Sequence, residues 1–368
     1  MENSTEASLN TTYGNDTHYN TTTEEPYVPN LYNDPLAMKV CFGIIGVIGT
    51  VGNALVITVF LRKSYASSQG LNSTNIFILN QSLIDFVSSV LLIVNNLIVI
   101  TYVPPGTGGD LLCKLWVSSK YPMWACFLGS TFNLVGLTLE RYFAIVHPII
   151  HHTKFTPRKA KIMAVVVWPF CFTYELHWAL VHASDGRGGC LTVYYDFLTI
   201  LGTVVLIFQY LIPLFIMVFS YIAILRVVRR QGRVKPGDEI SMGDQRTGNQ
   251  PQQLSRTEKN VIMTLLIVVV MYIICWSPNQ IYYFFFNVGI SSIEINGVFF
   301  QYTVVSVCCN MCINPFIYAA KLKDFREEAA KMFACGRQKN PHLLSSMISM
   351  SENTDPETEI VRNIYLNM

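Results

Sequence analysis

Seven long runs of apolar residues alternate with polar segments along the chain. A helix needs roughly 20 apolar residues to cross a hydrocarbon core about 30 Å thick, and each run is long enough to do so. The runs are Leu36 to Leu61, Ile76 to Tyr102, Leu111 to Leu139, Ile162 to Val181, Phe197 to Leu225, Val261 to Phe286 and Val298 to Ala320. This pattern predicts an all-α membrane protein in which residues 36–320 form a seven-transmembrane helix bundle.

The polar segments outside these runs indicate how the chain begins and ends. Residues 1–35 are rich in Ser, Thr, Asn and acidic residues, as in a flexible arm. Residues 321–335 combine basic and apolar positions, which predicts a short amphipathic eighth helix at the lipid surface, with Cys335 as a candidate palmitoylation site. Residues 336–368 predict a disordered tail, whose Ser and Thr cluster is either a phosphorylation site or simply polar.

Composition and charge predict the orientation. The chain is 51% hydrophobic and 14% charged, which is too apolar for an ordinary globular surface. Of its 26 Lys and Arg residues, 22 lie in segments 62–75, 140–161, 226–260 and 321–368, and basic loops stay on the cytoplasmic side. We therefore expect a plasma membrane protein with its N-terminus outside the cell. Its four N-x-Ser/Thr sequons would then be glycosylated, at Asn3, Asn10, Asn15 and Asn20.

The cysteines predict one disulfide. Six of the ten fall well inside the hydrophobic runs, Cys41 lies near the predicted outer end of the first run, and Cys335 lies on the predicted cytoplasmic side. The other two, Cys113 and Cys190, both lie on the predicted outer side, where a disulfide persists. We expect them to be bonded, so that the loop after the fourth run is tied over the bundle.

Asp85 is the only charged residue in the second run and lies near its middle, where an unpaired carboxylate is costly. The polar residues at a similar depth are Asn53, Ser130, Asn310 and Asn314. Carboxylate, hydroxyl and amide oxygens together suit a small cation, or a proton when the site changes shape. The alternative is a purely structural hydrogen-bond network between the helices.

Charged residues and prolines mark the predicted inner half of the bundle. Glu140, Arg141 and Tyr142 end the third run, and Glu258 precedes the sixth. A guanidinium that carboxylates hold in one conformation can be released in another, which makes a switch. Prolines also kink the fifth, sixth and seventh runs, because each removes a backbone hydrogen bond. They lie near conspicuous side chains: Pro213 with Tyr221, Trp276 with Pro278, and Asn314 with Pro315 and Tyr318.

In this order the motifs resemble those of the rhodopsin-like class of G-protein-coupled receptors, from Leu36 to Phe333. The matching motifs are Gly52-Asn53, Ser82-Leu83-Ile84-Asp85, Glu140-Arg141-Tyr142, Trp168, Pro213 with Tyr221, Cys275-Trp276-Ser277-Pro278 and Asn314-Pro315-Phe316-Ile317-Tyr318. The resemblance implies a receptor, not an enzyme, that binds an extracellular ligand and activates a heterotrimeric G protein. Arrestin would bind its phosphorylated tail, and no nucleic acid partner is expected.

The resemblance also implies roles for individual residues. Asp85, Ser130, Asn310 and Asn314 resemble an allosteric sodium site, and no other cofactor is expected. Trp276 resembles the side chain that responds first to the ligand. Arg141 and Glu258 resemble an ionic lock, and Tyr221 and Tyr318 resemble the two tyrosines that rearrange on activation.

The third run departs from the family pattern. Cys113 and Arg141 are 28 positions apart, about three more than in the family, so the run or its approach contains about one extra turn. Counting back from Arg141 places Met123 at the position where amine receptors carry an aspartate, whereas counting forward from Cys113 places Lys120 there. Neither is acidic, which disfavours a monoamine ligand. A second departure is Tyr272, where the family has phenylalanine, because its hydroxyl must find a partner.

The outer ends of the predicted helices carry polar and aromatic residues that suit a peptide ligand. The candidates are Lys120, Met123, Trp124, Glu175, Asn279, Gln280, Tyr283 and Gln301, with His177, Tyr282 and Glu294 nearby. A carboxylate as deep as Glu175 demands a cation, either Lys120 or a ligand amine. Alternatively, several of these side chains face lipid headgroups or other helices. The sequence Trp276-Ser277-Pro278-Asn279-Gln280 also resembles peptide receptors.

Other functional classes fit the sequence less well. A secondary transporter would show repeats and broken helices in matching positions, and seven unrepeated runs do not divide that way. It is the second choice, together with a receptor that binds ligand without coupling. An intramembrane aspartyl protease needs two carboxylates that meet, but Asp85 and Glu175 lie in opposite halves of the predicted bundle.

Overall fold

The computed structural model describes residues 36–68, 70–98, 100–193, 198–232, 255–288 and 297–335. The helices are α1 (Leu36–Ala66), α2 (Ser73–Leu97), α3 (Thr107–Leu112), α4 (Tyr121–Val146), α5 (Pro148–Lys154), α6 (Pro157–Leu180), α7 (Leu198–Val205), α8 (Ile212–Gly232), α9 (Arg256–Asn287), α10 (Val298–Lys321) and α11 (Lys323–Cys335). Two π-helical stretches, Cys113–Val117 and Leu206–Leu211, follow α3 and α7, and the strands β1 (His182–Ser184) and β2 (Cys190–Thr192) follow α6.

Within the described residues, seven segments are long and apolar enough to cross a membrane. They are Leu36–Ala66, Ser73–Leu97, Thr107–Val146, Pro157–Leu180, Ile200–Arg230, Glu258–Asn287 and Val298–Lys321, which we number spans 1 to 7. Each span overlaps one predicted hydrophobic run, so the predicted seven-helix bundle is confirmed. Helix α11 is the predicted eighth helix. The predicted arm with its sequons at Asn3, Asn10, Asn15 and Asn20, and the predicted tail 336–368, lie outside the described residues.

The bundle buries polar side chains between its spans, beside an apolar core, and it exposes many large apolar side chains. Asn53, Asp85 and Asn133 are almost completely buried between spans, whereas Val165 and Phe215 expose 67% and 71% of their surface. A water-soluble protein would reverse this arrangement, because exposed apolar surface is costly in water. The distribution therefore fits a bundle surrounded by lipid, with a polar interior that carries function.

Glycines let span 1 pack closely against its neighbours. A Cβ atom on Gly49 would lie 2.2 Å from the hydroxyl oxygen of Ser89, and one on Gly52 would lie 3.0 Å from the ring of Pro315. Small residues at such crossings allow helices in lipid to approach closely. Asn53 uses this proximity, because its amide nitrogen donates to the carbonyl oxygen of Met311 in span 7 at 2.9 Å.

Span 3 is not one continuous helix. The π-helical stretch Cys113–Val117 follows α3, and Lys120, with φ of 49°, adopts the left-handed conformation immediately before α4. The additional residues between Cys113 and Arg141 are therefore accommodated by a wide turn and a break, not by an extra α-helical turn. Helix α4 then runs unbroken from Tyr121 past Arg141. Counting back from Arg141 thus gives the correct helical register for Met123.

Candidate functional site

A cavity lies between spans 3 to 7, in the half of the bundle that the charge distribution predicts to be outer. Five predicted ligand-binding residues line it: Trp124, Glu175, Asn279, Gln280 and Tyr283. The other three, Lys120, Met123 and Gln301, are not in its lining. Lys120 lies at the break in span 3, and Met123 is buried in the core. The lining also contains His177, Trp178, Val205, Gln209 and Phe300.

Glu175 is the one carboxylate among the described residues that line this cavity. It is 6% exposed, and its Oε1 accepts a hydrogen bond of 2.6 Å from the amide nitrogen of Gln209 in span 5. Lys120 or a ligand amine was the partner expected from the sequence, and the structure supplies a neutral amide in place of Lys120. An amide donor satisfies one carboxylate oxygen but does not neutralise the charge. The site therefore retains the capacity to take a cation.

Hydrogen bonds hold two other residues of the lining in place. The indole nitrogen of Trp178 donates to the carbonyl oxygen of Ser119 at 3.0 Å, so the break in span 3 positions this ring. The amide nitrogen of Asn279 donates to the hydroxyl of Thr303 at 3.1 Å. Gln280 is 4% exposed, and its Oε1 has no hydrogen-bond partner in the part of the chain that the structure describes. A buried acceptor without a donor favours a ligand that supplies one.

Trp276 lies below this cavity in the bundle core. Its ring contacts that of Phe127 edge-on, with ring centroids 6.2 Å apart. Because Phe127 belongs to span 3 and Trp276 to span 6, this contact can transmit a shift of span 3 to span 6. Tyr272, one turn away, has its hydroxyl 3.5 Å from the carbonyl oxygen of Gln209. The tyrosine that departs from the family pattern therefore finds its partner in the backbone of span 5.

Asp85 lies at the centre of a hydrogen-bonded cluster. Its Oδ1 accepts from the Ser130 hydroxyl at 3.0 Å and its Oδ2 accepts from the Asn314 amide at 2.8 Å. A third donor, which the sequence analysis missed, is Gln81, whose Nε2 lies 3.2 Å from both carboxylate oxygens. Asn310 is buried nearby, but it is not among the donors that these described residues provide to Asp85. Gln81 precedes Asp85 by four positions, a spacing that could have indicated it.

The carboxylate of Glu140 organises the inner end of span 3. The Arg141 guanidinium binds it in a two-pronged pair, with Nε to Oε2 at 2.5 Å and NH2 to Oε1 at 2.6 Å. The His151 imidazole of α5 lies 3.0 Å from Oε1, and the Thr74 hydroxyl of span 2 donates to Oε2 at 3.1 Å. Tyr142 contacts His147 through its hydroxyl at 3.3 Å. Three elements thus hold one carboxylate and, through it, Arg141.

The predicted ionic lock between Arg141 and Glu258 is not formed in this structure. Glu258 instead closes a capping box at the start of α9: its carboxylate accepts from the Ser255 backbone N–H at 2.8 Å, and its own N–H donates to the Ser255 hydroxyl at 3.2 Å. A glutamate at the third helical position satisfies the free amide groups of a helix start, which explains its position. Arg141 is held by Glu140 alone among the carboxylates of the described residues.

Tyr221 and Tyr318 lie on spans 5 and 7 towards this inner end. They are 3% and 0% exposed, and the hydroxyl of Tyr318 has no hydrogen-bond partner within the described residues. A buried hydroxyl without a partner is costly, so the side chain of Tyr318 gains from a rearrangement that supplies one. Span 7 also contains Pro315 and span 6 contains Pro278, each inside its helix. The prolines provide the weak points in the helices at which such a rearrangement can occur.

The predicted disulfide is present. Cys113 and Cys190 are bonded, with Cα atoms 5.7 Å apart, and this bond joins β2 to the outer end of span 3. In the hairpin, Ser184 pairs with Cys190, and the backbone N–H of Ser184 donates to Asp110 at 2.9 Å. Burial lowers the pKa of His182 in the same hairpin, so its imidazole is neutral at pH 7. The hairpin is thereby fixed above the cavity.

Comparison with known proteins agrees with this arrangement. Residues 52–318 match the family model of the 7 transmembrane receptor (rhodopsin family). Galanin receptor 2b of Danio rerio is 28% identical over 306 residues, which cover 81% of this chain and 75% of that receptor. Galanin receptor type 1 of Homo sapiens is 26% identical, covering 87% and 88%, and the allatostatin-A receptor of Bombyx mori is 27% identical, covering 86% and 88%.

Proposed function

The chain belongs to the rhodopsin family of seven-transmembrane receptors, which are multi-pass proteins of the plasma membrane and signal through G proteins; from this premise we propose that its ligand is an extracellular peptide. The observation that carries the proposal is the cavity among spans 3 to 7, whose wall contains the buried Glu175 and a Gln280 oxygen that has no partner within the described residues. Relatives named as galanin and allatostatin-A receptors support it.

The ligand we propose carries a basic group, an arginine side chain or a free N-terminus, that pairs with Glu175. The carboxylate has one neutral amide partner, Gln209, and the rings of Trp124 and Tyr283 also line the cavity. Aromatic faces attract cations, and a carboxylate in a low-dielectric site binds a cation more strongly than one in water. Gln280 offers an additional acceptor for a donor group of the same ligand.

The switch we propose follows from the contacts of the inner half. Ligand binding shifts a pre-existing equilibrium by moving spans 3 and 6 at the contact between Phe127 and Trp276. Arg141 leaves Glu140, span 6 swings outward about Pro278, and Tyr221 and Tyr318 approach each other. The opened face lies at the end of the bundle rich in Lys and Arg, which this proposal places in the cytoplasm, with the N-terminus outside.

The peripheral predictions complete the proposal. Glycans would be attached to the N-terminal arm at its four sequons, a lipid at Cys335 would anchor α11, and a phosphorylated tail would recruit arrestin. Cys335 is the last residue of α11, and Lys323 and Lys331 of the same helix are exposed. Basic residues at such a position attract anionic lipid headgroups.

The experiment that tests the function is nucleotide exchange on a panel of purified heterotrimeric G proteins, with the receptor in lipid discs. A pooled library of hexapeptide amides is added, each peptide with a free N-terminus and one arginine. We expect exchange on at least one G protein to rise above the rate with empty discs. Exchange at the empty-disc rate on every member, from a receptor shown to be folded, would favour the non-coupling binder or the transporter.

Glu175→Gln should weaken the response to this library by about 30-fold in apparent affinity, as expected when one partner of a buried charge pair is lost. The amide oxygen of the new glutamine can still accept from Gln209, so the fold should persist. Concentration dependence of nucleotide exchange provides the measurement. A second library, acetylated and with citrulline in place of arginine, has neither of these cations. It should stimulate exchange equally weakly in the unmodified receptor and in Glu175→Gln.

The matched control for Glu175→Gln is Asp185→Asn in the hairpin loop. This change also converts an outer carboxylate to an amide, and the new side chain can still accept from the backbone N–H groups of Arg187 and Gly189. Its response should equal that of the unmodified receptor. Equal loss in both variants, or no preference for the basic library, would contradict the role of Glu175.

His151→Ala should raise the basal rate of nucleotide exchange roughly fivefold, the change that about 1 kcal/mol produces in a two-state equilibrium. The imidazole is one of three groups that hold Glu140, and its loss weakens the conformation in which Arg141 is bound. The adjacent His152, which is exposed, is the control: His152→Ala should leave the basal rate unchanged. A basal rate that His151→Ala does not change would show that α5 does not restrain the switch.

A further inference from the structure

The oxygen-rich surroundings of Asp85 suggested a site for sodium, and Gln81 changes the chemistry of that site. Its Nε2 lies 3.2 Å from both Asp85 oxygens and also donates to the Ser130 hydroxyl. A sodium ion held by Asp85 and Ser130 would need to lie between those same oxygens. The amide group therefore lies where the cation would be, and its N–H hydrogens, which bear partial positive charge, point at the carboxylate.

The orientation of the Gln81 amide follows from its neighbours. The indole N–H of Trp168 can only donate, and it donates to Asn80 Oδ1 at 3.1 Å. Asn80 must then offer its nitrogen, which donates to Asn133 Oδ1 at 2.8 Å. Asn133 in turn offers its nitrogen to Gln81 Oε1 at 2.8 Å, and Gln81 is left with only its nitrogen to face Asp85.

A second contact fixes Asn133 independently of the indole. Its Nδ2 also donates to the carbonyl oxygen of Phe77 at 3.0 Å, and a backbone carbonyl can only accept. Asn80, Gln81 and Asn133 are all at most 7% exposed, so water cannot easily replace a lost partner. Turning the Gln81 amide to present oxygen to Asp85 would bring Gln81 Nε2 against Asn133 Nδ2, two donors facing each other. Chains of buried amides of this kind polarise one another and resist reversal.

We propose that the fixed amide nitrogen of Gln81 takes the position of the cation at Asp85, so that sodium does not regulate this receptor. The donor set does not fit sodium, because a hard cation needs oxygen ligands and Gln81 directs N–H groups into the site. Asp85 is instead tied by neutral donors of spans 2, 3 and 7, namely Gln81, Ser130 and Asn314. The restraint that a diffusible ion would supply is part of the protein.

The experiment measures the Tm of the purified full-length receptor in lipid discs, in sodium chloride and in N-methylglucamine chloride at equal ionic strength. It needs no ligand and no G protein, so its result is independent of the proposed peptide function. We expect the Tm of the unmodified receptor to be the same in both salts. Gln81→Leu removes the amide at similar volume and should gain a sodium-dependent rise of about 2 to 4 °C, through binding linked to the folded state.

The control is the double variant Gln81→Leu with Asp85→Asn, in which the gained sodium response should vanish because the carboxylate is lost. If Gln81→Leu does not fold, Gln81→Ala makes the same test, since its smaller side chain also frees the site. A sodium-dependent Tm in the unmodified receptor overturns the proposal. So does a sodium response that is absent from the single variants or that persists in the double variant.

Discussion

Arg141→Ala should reduce nucleotide exchange to the rate measured with empty discs, both with and without peptide. Arg141 carries the guanidinium at the inner end of span 3, and its side chain is 17% exposed, so that it can turn from Glu140 towards a bound G protein. Its five N–H groups in a planar fork suit carbonyl oxygens at a helix end, which no smaller side chain can replace. Removal of this one residue should therefore abolish transmission, whatever the ligand.

The fold should survive this substitution, because Glu140 keeps two other partners. His151 and Thr74 remain in hydrogen-bond contact with its carboxylate. Surface expression and Tm of the variant separate lost signalling from lost structure. Arg158→Ala, which removes an exposed positive charge at the same end of the bundle, serves as the control and should signal normally. Undiminished exchange by Arg141→Ala would refute the switch at Glu140 and Arg141.

The bundle could be predicted from the sequence because hydropathy in lipid is a strong constraint. A spanning segment must pair the N–H and C=O groups of its own backbone and present apolar side chains to lipid. Each span can therefore be recognised from its length and composition. The same logic predicted α11 from its amphipathic pattern and the bond between Cys113 and Cys190 from the side of the membrane on which both were expected. These predictions depend on solvent and compartment, and neither requires knowledge of how helices pack.

The break in span 3 was not predicted, because local backbone geometry is decided by contacts with other elements. The sequence showed that residues had been added between Cys113 and Arg141, but an extra turn and a break fit the count equally well. The left-handed Lys120 is accommodated where Ser119 accepts from Trp178 of span 4, a contact between residues far apart in sequence. Pairings of this kind have no signature within one segment.

The polar residues of the interior could likewise be predicted only in part. Asp85 was conspicuous because a lone charge in an apolar run has few explanations. Its partner Gln81 was not recognised from the sequence, because its role depends on the chain of hydrogen-bonded amides that begins at Trp168. Glu175 was likewise conspicuous, whereas Gln209 was not. Glu258 shows the reverse error: a charge that suited a distant lock is used locally, in the capping box with Ser255. Buried charged residues can be recognised from the sequence, but their hydrogen-bond partners are known only from the structure.

The disulfide is the feature whose loss should most destabilise the fold. Cys113→Ser, Cys190→Ser and the double variant should each lower the Tm by about 5 to 15 °C, since closing a long loop contributes roughly 2 to 4 kcal/mol. The cysteines are separated by 77 positions, and the bond fixes the hairpin above the cavity. Other contacts moderate this loss of stability, because the hydrogen bonds from Ser184 to Asp110 and from Val103 to Gly188 remain.

Equal Tm values for the three variants are the decisive result, because the loss of either cysteine removes the whole disulfide. Cys41→Ser, which replaces an exposed cysteine that forms no disulfide among the described residues, is the matched control and should leave the Tm unchanged. Peptide response should fall together with Tm in the disulfide variants, since the hairpin lies against Trp178 of the cavity wall, whose ring centroid is 4.8 Å from that of His182. A double variant much less stable than either single one would mean that the two cysteines act separately.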